Sequence, residues 1–196
     1  EGKLASVKWA REHGIPFLGI CLGFQMAVVE FARNVVQLQD ANSAEFDVNC
    51  AHPVIAELPD QKEIEGLGGT MRLGGQDVAI TSGTFAEQLY ASTNVRERFR
   101  HRYEVEPKYI EQLTNAGLNF SGMHPEHEIM QVLELSSDVH PYFVAGQFHP
   151  ELTSRPLRPQ PMFMGLVAAA ITHRMGRTPD TIDSRWLNSK HASTTV

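Results

Sequence analysis

Little in this sequence suits a membrane, a disulfide scaffold or a nucleic acid. Only two cysteines occur, Cys21 and Cys50, which could form one pair in principle but no disulfide framework. No N-terminal stretch carries a signal pattern. The longest apolar run, Met162 to Ile171 with Gly165 inside it, is too short to span a bilayer. Positive charge is scarce: the formal net charge is −6, which argues against a general nucleic-acid surface. Arg96, Arg98, Arg100 and Arg102 cluster locally and read as a solvated face. The glycines from Gly66 to Gly75 lack both the Gly-Lys-Ser/Thr ending of a phosphate loop and G-x-G-x-x-G spacing. No metal site is expected either. His124 and His127 with their Glu neighbours do not form H-E-x-x-H, because the residue four after His127 is Gln131. There are no internal repeats.

What is present reads as one folded domain. Hydrophobic residues make up 42% of the chain and charged residues 20%, enough to build a core at 196 residues. An amphipathic helix is expected from Lys3 to His13, ending at Gly14, followed by a strand Phe17–Ile20 and a helix Leu22–Val35. Asp40 to Gly75 reads as irregular. Further strands are expected at Val78–Thr81, Arg102–Val105, Leu118–Met123, Ile129–Leu135 and Phe143–Phe148. Phe85–Tyr90 reads as a helical turn, and Pro107 opens a helix that runs to Ala116 and stops at Gly117. Met162–His173 is the last helix, its Met and Ala residues core packing. The domain is assigned residues 1–176, with a polar tail over 177–196. Strands alternating with helices indicate an α/β fold, in which ligand sites lie beyond the carboxyl ends of the strands.

One segment carries the chemistry. In Phe17-Leu18-Gly19-Ile20-Cys21-Leu22-Gly23 a buried strand runs into a sharp turn and then a helix, with a cysteine at the apex of a G-x-C-x-G pattern. Such an elbow aims a nucleophile at solvent above a sheet. Gly19 and Gly23 are expected where a Cβ would clash, and the helix N-terminus behind Leu22 is expected to favour the thiolate. A cysteine nucleophile needs a base and a group to orient it. Val144-Ala145-Gly146-Gln147-Phe148-His149-Pro150-Glu151 supplies both. On an extended segment His149 and Glu151 project to one side, so Glu151 can hold one imidazole nitrogen while the other faces Cys21. Pro150 suits a strand leaving the sheet. A working thiolate requires a reducing compartment, hence the cytoplasm. Cys50 receives no role.

The Gly-Ile-Cys-Leu-Gly-x-Gln elbow with a distant Gln-Phe-His-Pro-Glu resembles the class I (triad) glutamine amidotransferases. Ala41–Phe46, Leu67–Gly74 and Arg98–Val105 are similar to the corresponding segments of the CTP synthase branch, and the likeness extends to about Ala170. The resemblance implies a mostly parallel central sheet flanked by helices, flavodoxin-like. It also implies hydrolysis of glutamine to glutamate and ammonia. Cys21, His149 and Glu151 become the catalytic residues, while Leu22 (through its N–H at the oxyanion), Gln25, Glu45 and Arg102 become the glutamine contacts. A free amino acid offers an ammonium to Glu45 and a carboxylate to the planar fork of Arg102.

The likeness further implies that ammonia serves a synthetase domain, absent here, where ATP, UTP and Mg²⁺ bind. GTP acts as allosteric activator, and the full enzyme is a homotetramer. No cofactor is expected in this chain. The family's Gly-rich oxyanion loop is not found, and Glu1-Gly2-Lys3 resembles the point just after it. The N-terminal part of the domain is therefore expected to be missing and the chain's own activity to be in doubt. Alternatives are another triad amidotransferase, a gamma-glutamyl hydrolase acting on peptides, or a fragment that binds without turnover.

Overall fold

The structure, a computed structural model, describes residues 1–58 and 71–176. Its first helix, α1 (Gly2–His13), buries Leu4, Val7 and Ala10, three residues apart, and stops at Gly14, whose φ of 63° is left-handed. Strand β1 (Phe17–Ile20) leads into α2 (Leu22–Asn34). Every residue of α2 from Phe24 to Ala32 is buried, so this helix lies inside the fold rather than on its surface. One of those residues is Glu30. The Arg11 guanidinium meets it with Nε to Oε2 at 2.9 Å and Nη2 to Oε1 at 2.8 Å, and Asn34 adds an amide at 3.1 Å. The forked pairing keeps a buried carboxylate from being left uncompensated and ties α1 to α2.

The segment expected to be irregular contains two short strands, β2 (Ala41–Ser43) and β3 (His52–Ala56). With β6 (Glu104–Val105) they form a separate three-stranded sheet in the order β2-β3-β6. The three residues of β2, with no β-branched or aromatic side chain, carry no strand signal, and Pro53 inside β3 weakens that one.

Strand β4 (Arg72–Ile80) is longer than expected. Helix α3 (Phe85–Tyr90) joins it to β5 (Asn94–His101), a strand not anticipated, while the expected strand Arg102–Val105 is found only in its second half, as β6. The arginine cluster proves to be the outer face of β5: Arg96, Arg98 and Arg100 are exposed, while Glu97, Phe99 and His101 are buried. A turn of 3₁₀ helix, Pro107–Tyr109, precedes α4 (Ile110–Asn115), so the expected single helix is split. Then come β7 (Asn119–Met123), β8 (Met130–Glu134), β9 (Phe143–Gly146), a second 3₁₀ turn at Pro150–Leu152, and α5 (Pro161–Arg174).

The larger sheet runs β1-β9-β8-β7-β4-β5. Its α/β character stands, but the expectation of a mostly parallel sheet is corrected. Only β1 and β9 are parallel, and the remaining pairs are antiparallel. The links 124–129 and 135–142 are too short for the dozen or so residues a parallel crossover needs. Helices cover both faces. On one side Phe24, Val28 and Phe31 of α2 and Leu113 of α4 pack on Leu133 and Phe143; on the other Leu89 of α3 and Met162 of α5 pack on Val132 and Val144.

Strands β4 and β5 pair from Arg72↔His101 to Ala79↔Asn94, yet only Ala79 and Ile80 also pair with β7. The rest of this two-stranded ribbon leaves the sheet as an arm. Its far end returns over β1 and β9, where Arg98 O accepts a hydrogen bond from His149 N at 2.8 Å. Among the described residues no helix is long and apolar enough to cross a membrane. The expected tail 177–196 lies outside the described residues, as does the 59–70 portion of the glycine-rich segment.

Candidate active site

The pairing of β1 with β9 in register, Ile20 opposite Gly146, brings two distant motifs together. Cys21 N donates to Gly146 O at 2.9 Å, so the elbow and the His-Pro-Glu segment leave neighbouring strands at the same end. Cys21 sits at the apex with φ 49° and ψ −101°, a conformation that costs a non-glycine residue about 1–3 kcal/mol. Gly19 permits the turn. A Cβ there would lie 2.7 Å from Ala145 Cβ and 2.9 Å from the Gly23 backbone. Gly23 differs from expectation: a Cβ on it would meet nothing within 4 Å, so it makes room for Gly19's neighbourhood through its backbone alone. Gly19→Ala should therefore destabilise the fold by about 1–3 kcal/mol, and Gly23→Ala far less. Urea denaturation of the two variants checks this, and equal midpoints would refute it.

The thiol does not behave as the helix N-terminus alone would have it. Burial pushes its pKa up, the Glu151 and Glu104 carboxylates add to the rise, and the Leu22 N–H and the Gln147 amide oppose it. Burial wins, because a half-buried sulfur loses more solvation than two neutral donors restore. In keeping with a protonated resting state, the S–H faces the Arg100 carbonyl at 3.8 Å. A base is thus needed to remove the proton.

His149, which follows β9, can be that base. Its Nδ1 lies 2.6 Å from Glu151 Oε1, which fixes the proton on Nδ1 and leaves the Nε2 lone pair available. The pairing is the expected one, but the backbone is not extended there. Pro150 opens the 3₁₀ turn Pro150–Leu152, which swings Glu151 back onto the imidazole. The turn is anchored from below. Thr153 donates to Glu97 Oε2 at 2.9 Å, and Glu97 Oε1 accepts from Gln160 at 2.7 Å and from the Tyr90 hydroxyl at 3.0 Å. Among the described residues the sulfur meets Arg100 O, Gln147 Nε2 and the Leu22 N–H; His149 makes no hydrogen bond to it.

A cleft of about 400 Å³ opens beside the sulfur. Cys21, Leu22 and Gln25 line it from the elbow, Glu45 and Phe46 from the loop after β2, and Arg100 to Tyr103 from the arm. All four residues expected to contact glutamine are therefore on one cleft. Glu45 and Arg102 are in no ion pair among the described residues. One negative and one positive group facing a small cleft match the two ends of a zwitterionic amino acid. Gln25 is buried, and its Nε2 donates to Tyr103 O at 3.0 Å.

Three neighbours had drawn no sequence assignment. Gln147 touches the sulfur, Arg100 lends its carbonyl, and His101 is buried against Glu104, which pairs with Arg72 at 3.1 Å. The position of Gln147 within the His-Pro-Glu segment was the signal for it. His101 and Arg100 required knowledge of the arm. Among the described residues no group of three or more His, Cys, Asp or Glu is placed to hold a metal ion.

Residues 1–169 match the family profile described as glutamine amidotransferase class-I. The chain is 55% identical over 174 residues to a CTP synthase of Archaeoglobus fulgidus, covering 89% of this chain and 32% of that protein. It is 54% identical over 182 residues to a CTP synthase of Haloarcula hispanica, covering 93% and 32%. A solved structure of the glutaminase domain of Trypanosoma brucei CTPS with bound acivicin superposes with a TM-score of 0.80 at 37% identity. The match covers 87% of this chain and 66% of that one. The chain spans about a third of the length of the curated relatives it matches.

Proposed function

Since the chain belongs to the class-I glutamine amidotransferase family, we propose that it is the glutaminase part of a CTP synthase, hydrolysing glutamine to glutamate and ammonia. The observation that carries this reading is the meeting of Cys21, Glu45 and Arg102 on one cleft, with the His149–Glu151 pair leaving the strand beside β1. Glutamine would enter with its α-ammonium at Glu45 and its α-carboxylate at Arg102, leaving its side-chain amide to reach the elbow. Gln25 and Leu22 would fix the amide, with Leu22 N–H donating to the developing oxyanion.

The protons of this reaction would balance on one imidazole. His149 Nε2 takes the thiol proton as sulfur forms its bond to the amide carbon, and Glu151 stabilises the imidazolium through Nδ1–H. The C–N bond breaks as that proton passes to nitrogen, releasing ammonia and leaving a γ-glutamyl thioester. Water, deprotonated by the same imidazole, then cleaves the thioester. Glutamate leaves and the thiol is restored.

In the longer protein the ammonia would serve a synthetase portion using ATP, UTP and Mg²⁺, with GTP as activator and a homotetrameric assembly in the cytoplasm. None of these ligands is assigned to residues of this chain.

Acivicin tests the assignment directly. Incubation followed by peptide mass spectrometry should find the adduct on Cys21, blocked by free glutamine. Blocking by a γ-glutamyl peptide but not by glutamine would point to a peptide hydrolase instead. An adduct confined to Cys50 would remove the mechanism.

A further inference from the structure

The side chain of Gln147 is completely buried, and the reaction proposed for Cys21, His149 and Glu151 does not call on it. Its surroundings dictate how the amide is turned. The Tyr103 carbonyl can only accept, so Gln25 presents Nε2 to it, at 3.0 Å. The same Gln25 Nε2 reaches Gln147 Oε1 at 3.4 Å. With its oxygen committed to that donor, Gln147 turns Nε2 toward Cys21 Sγ, 3.8 Å away. The backbone gives it no freedom to move off, because Gln147 N donates to Gln131 O of β8 at 2.9 Å. A backbone carbonyl just beyond the arm thus orients two amides in series, and the second ends on the nucleophile.

We propose that Gln147 is a catalytic residue that stabilises the Cys21 thiolate by donating its Nε2–H to the sulfur. This rests on Cys21 being the nucleophile of the proposed reaction and adds a residue to its machinery. The need for such a donor is plain from the charges around the sulfur. Glu151 lies beyond β9 and Glu104 on β6, and both carboxylates oppose a second negative charge. Glu45 lines the cleft too. The cations there, Arg100 and Arg102, come from the end of the arm, and His101 is buried neutral. None of the three donates a side-chain hydrogen bond to the sulfur among the described residues. Two neutral donors remain, the Leu22 N–H and the Gln147 amide. Only the second is a side chain that substitution can remove.

A purely structural Gln147 would affect folding without altering the acidity of the thiol. The experiment therefore reads the pH midpoint of Cys21 alkylation by iodoacetamide in the intact protein, resolved from Cys50 by peptide mass spectrometry. Gln147→Met keeps the volume and removes the donor. Its Cys21 midpoint should rise by about one pH unit, roughly tenfold less thiolate at neutral pH, with Cys50 unmoved. Gln147→Leu, also without a donor and without added charge, should raise the midpoint by a similar amount. If Gln147→Met does not fold, Gln147→Leu decides in its place. Unchanged Cys21 midpoints, or an equal shift at Cys50, overturn the proposal. No glutamine is present in this assay, so loss of the glutaminase reading would show up separately, as wild-type protein that releases no ammonia from glutamine.

Discussion

Cys21→Ala is expected to lower glutamine hydrolysis by at least about 10⁴-fold, since covalent catalysis disappears and only binding and oxyanion contacts remain. Glutamate release by the intact protein measures it, and residual turnover within tenfold of wild type would sink the mechanism. The backbone gives this substitution a second, independent readout. Alanine inherits the φ of 49° and ψ of −101° at the apex of the elbow, whereas glycine adopts positive φ without steric cost. Cys21→Gly should thus be equally inactive but more stable than Cys21→Ala, by about 1 kcal/mol after allowing for glycine's extra chain entropy. A lower melting temperature for the glycine variant would mean that the apex is unstrained. The comparison separates what the residue does for chemistry from what its position demands of the chain.

Acid should destabilise the fold through His101. This imidazole is buried at the end of the arm, and its pKa is lowered from 6.5 to about 3, first by burial and next by the Arg72 cation; Tyr103 O opposes the shift and His149 adds to it. In the unfolded chain it titrates near 6.5. Between pH 6.5 and 3 the unfolded state therefore holds a proton that the folded state refuses. Stability from this group is complete above about pH 6.5 and falls as pH drops, with a slope of up to about 1.4 kcal/mol per pH unit. His124 and His140 are shifted the same way, so a substitution is needed to isolate the contribution of His101. His101→Gln should flatten the slope of urea-derived stability against pH by up to one proton's worth, and an unchanged slope would refute the assignment. Because the end of the arm carries His101, Arg100 and Arg102, acid should also loosen the cleft before the rest of the molecule unfolds.

The parts of the fold legible in the sequence were those with a local cause. Phe17–Ile20 is a strand bounded by Pro16 and the elbow, and the structure has it at those residues. Phe85–Tyr90 is likewise found as read, with Thr84 capping its first turn through Glu87 N. What escaped depended on distant partners. β2 is only three residues long, and it exists only because β3 lies beside it. The direction of the sheet was also invisible, since hairpin links and crossovers differ in length more than in composition. At the site, the sequence motifs brought Cys21, His149 and Glu151 to notice because each belongs to a short pattern. The polarity of the sulfur's surroundings was misjudged: a helix N-terminus is a local feature, while the burial that outweighs it depends on how distant parts of the chain pack around the sulfur.

That the arm pairs with the sheet through only Ala79 and Ile80, and otherwise meets it by single contacts such as Arg98 O to His149 N, has a mechanical consequence. Sulfur and base ride on the sheet, but Arg102 sits just past the end of the overhang. A bound molecule gripped at both would bridge two bodies whose spacing is set by the ribbon's curvature. The distance acts as a ruler: an amino acid one methylene shorter, anchored by the same carboxylate, would stop short of the thiol. Selectivity for chain length would then belong to the stiffness of the overhang, and softening it would admit asparagine before it abolished turnover.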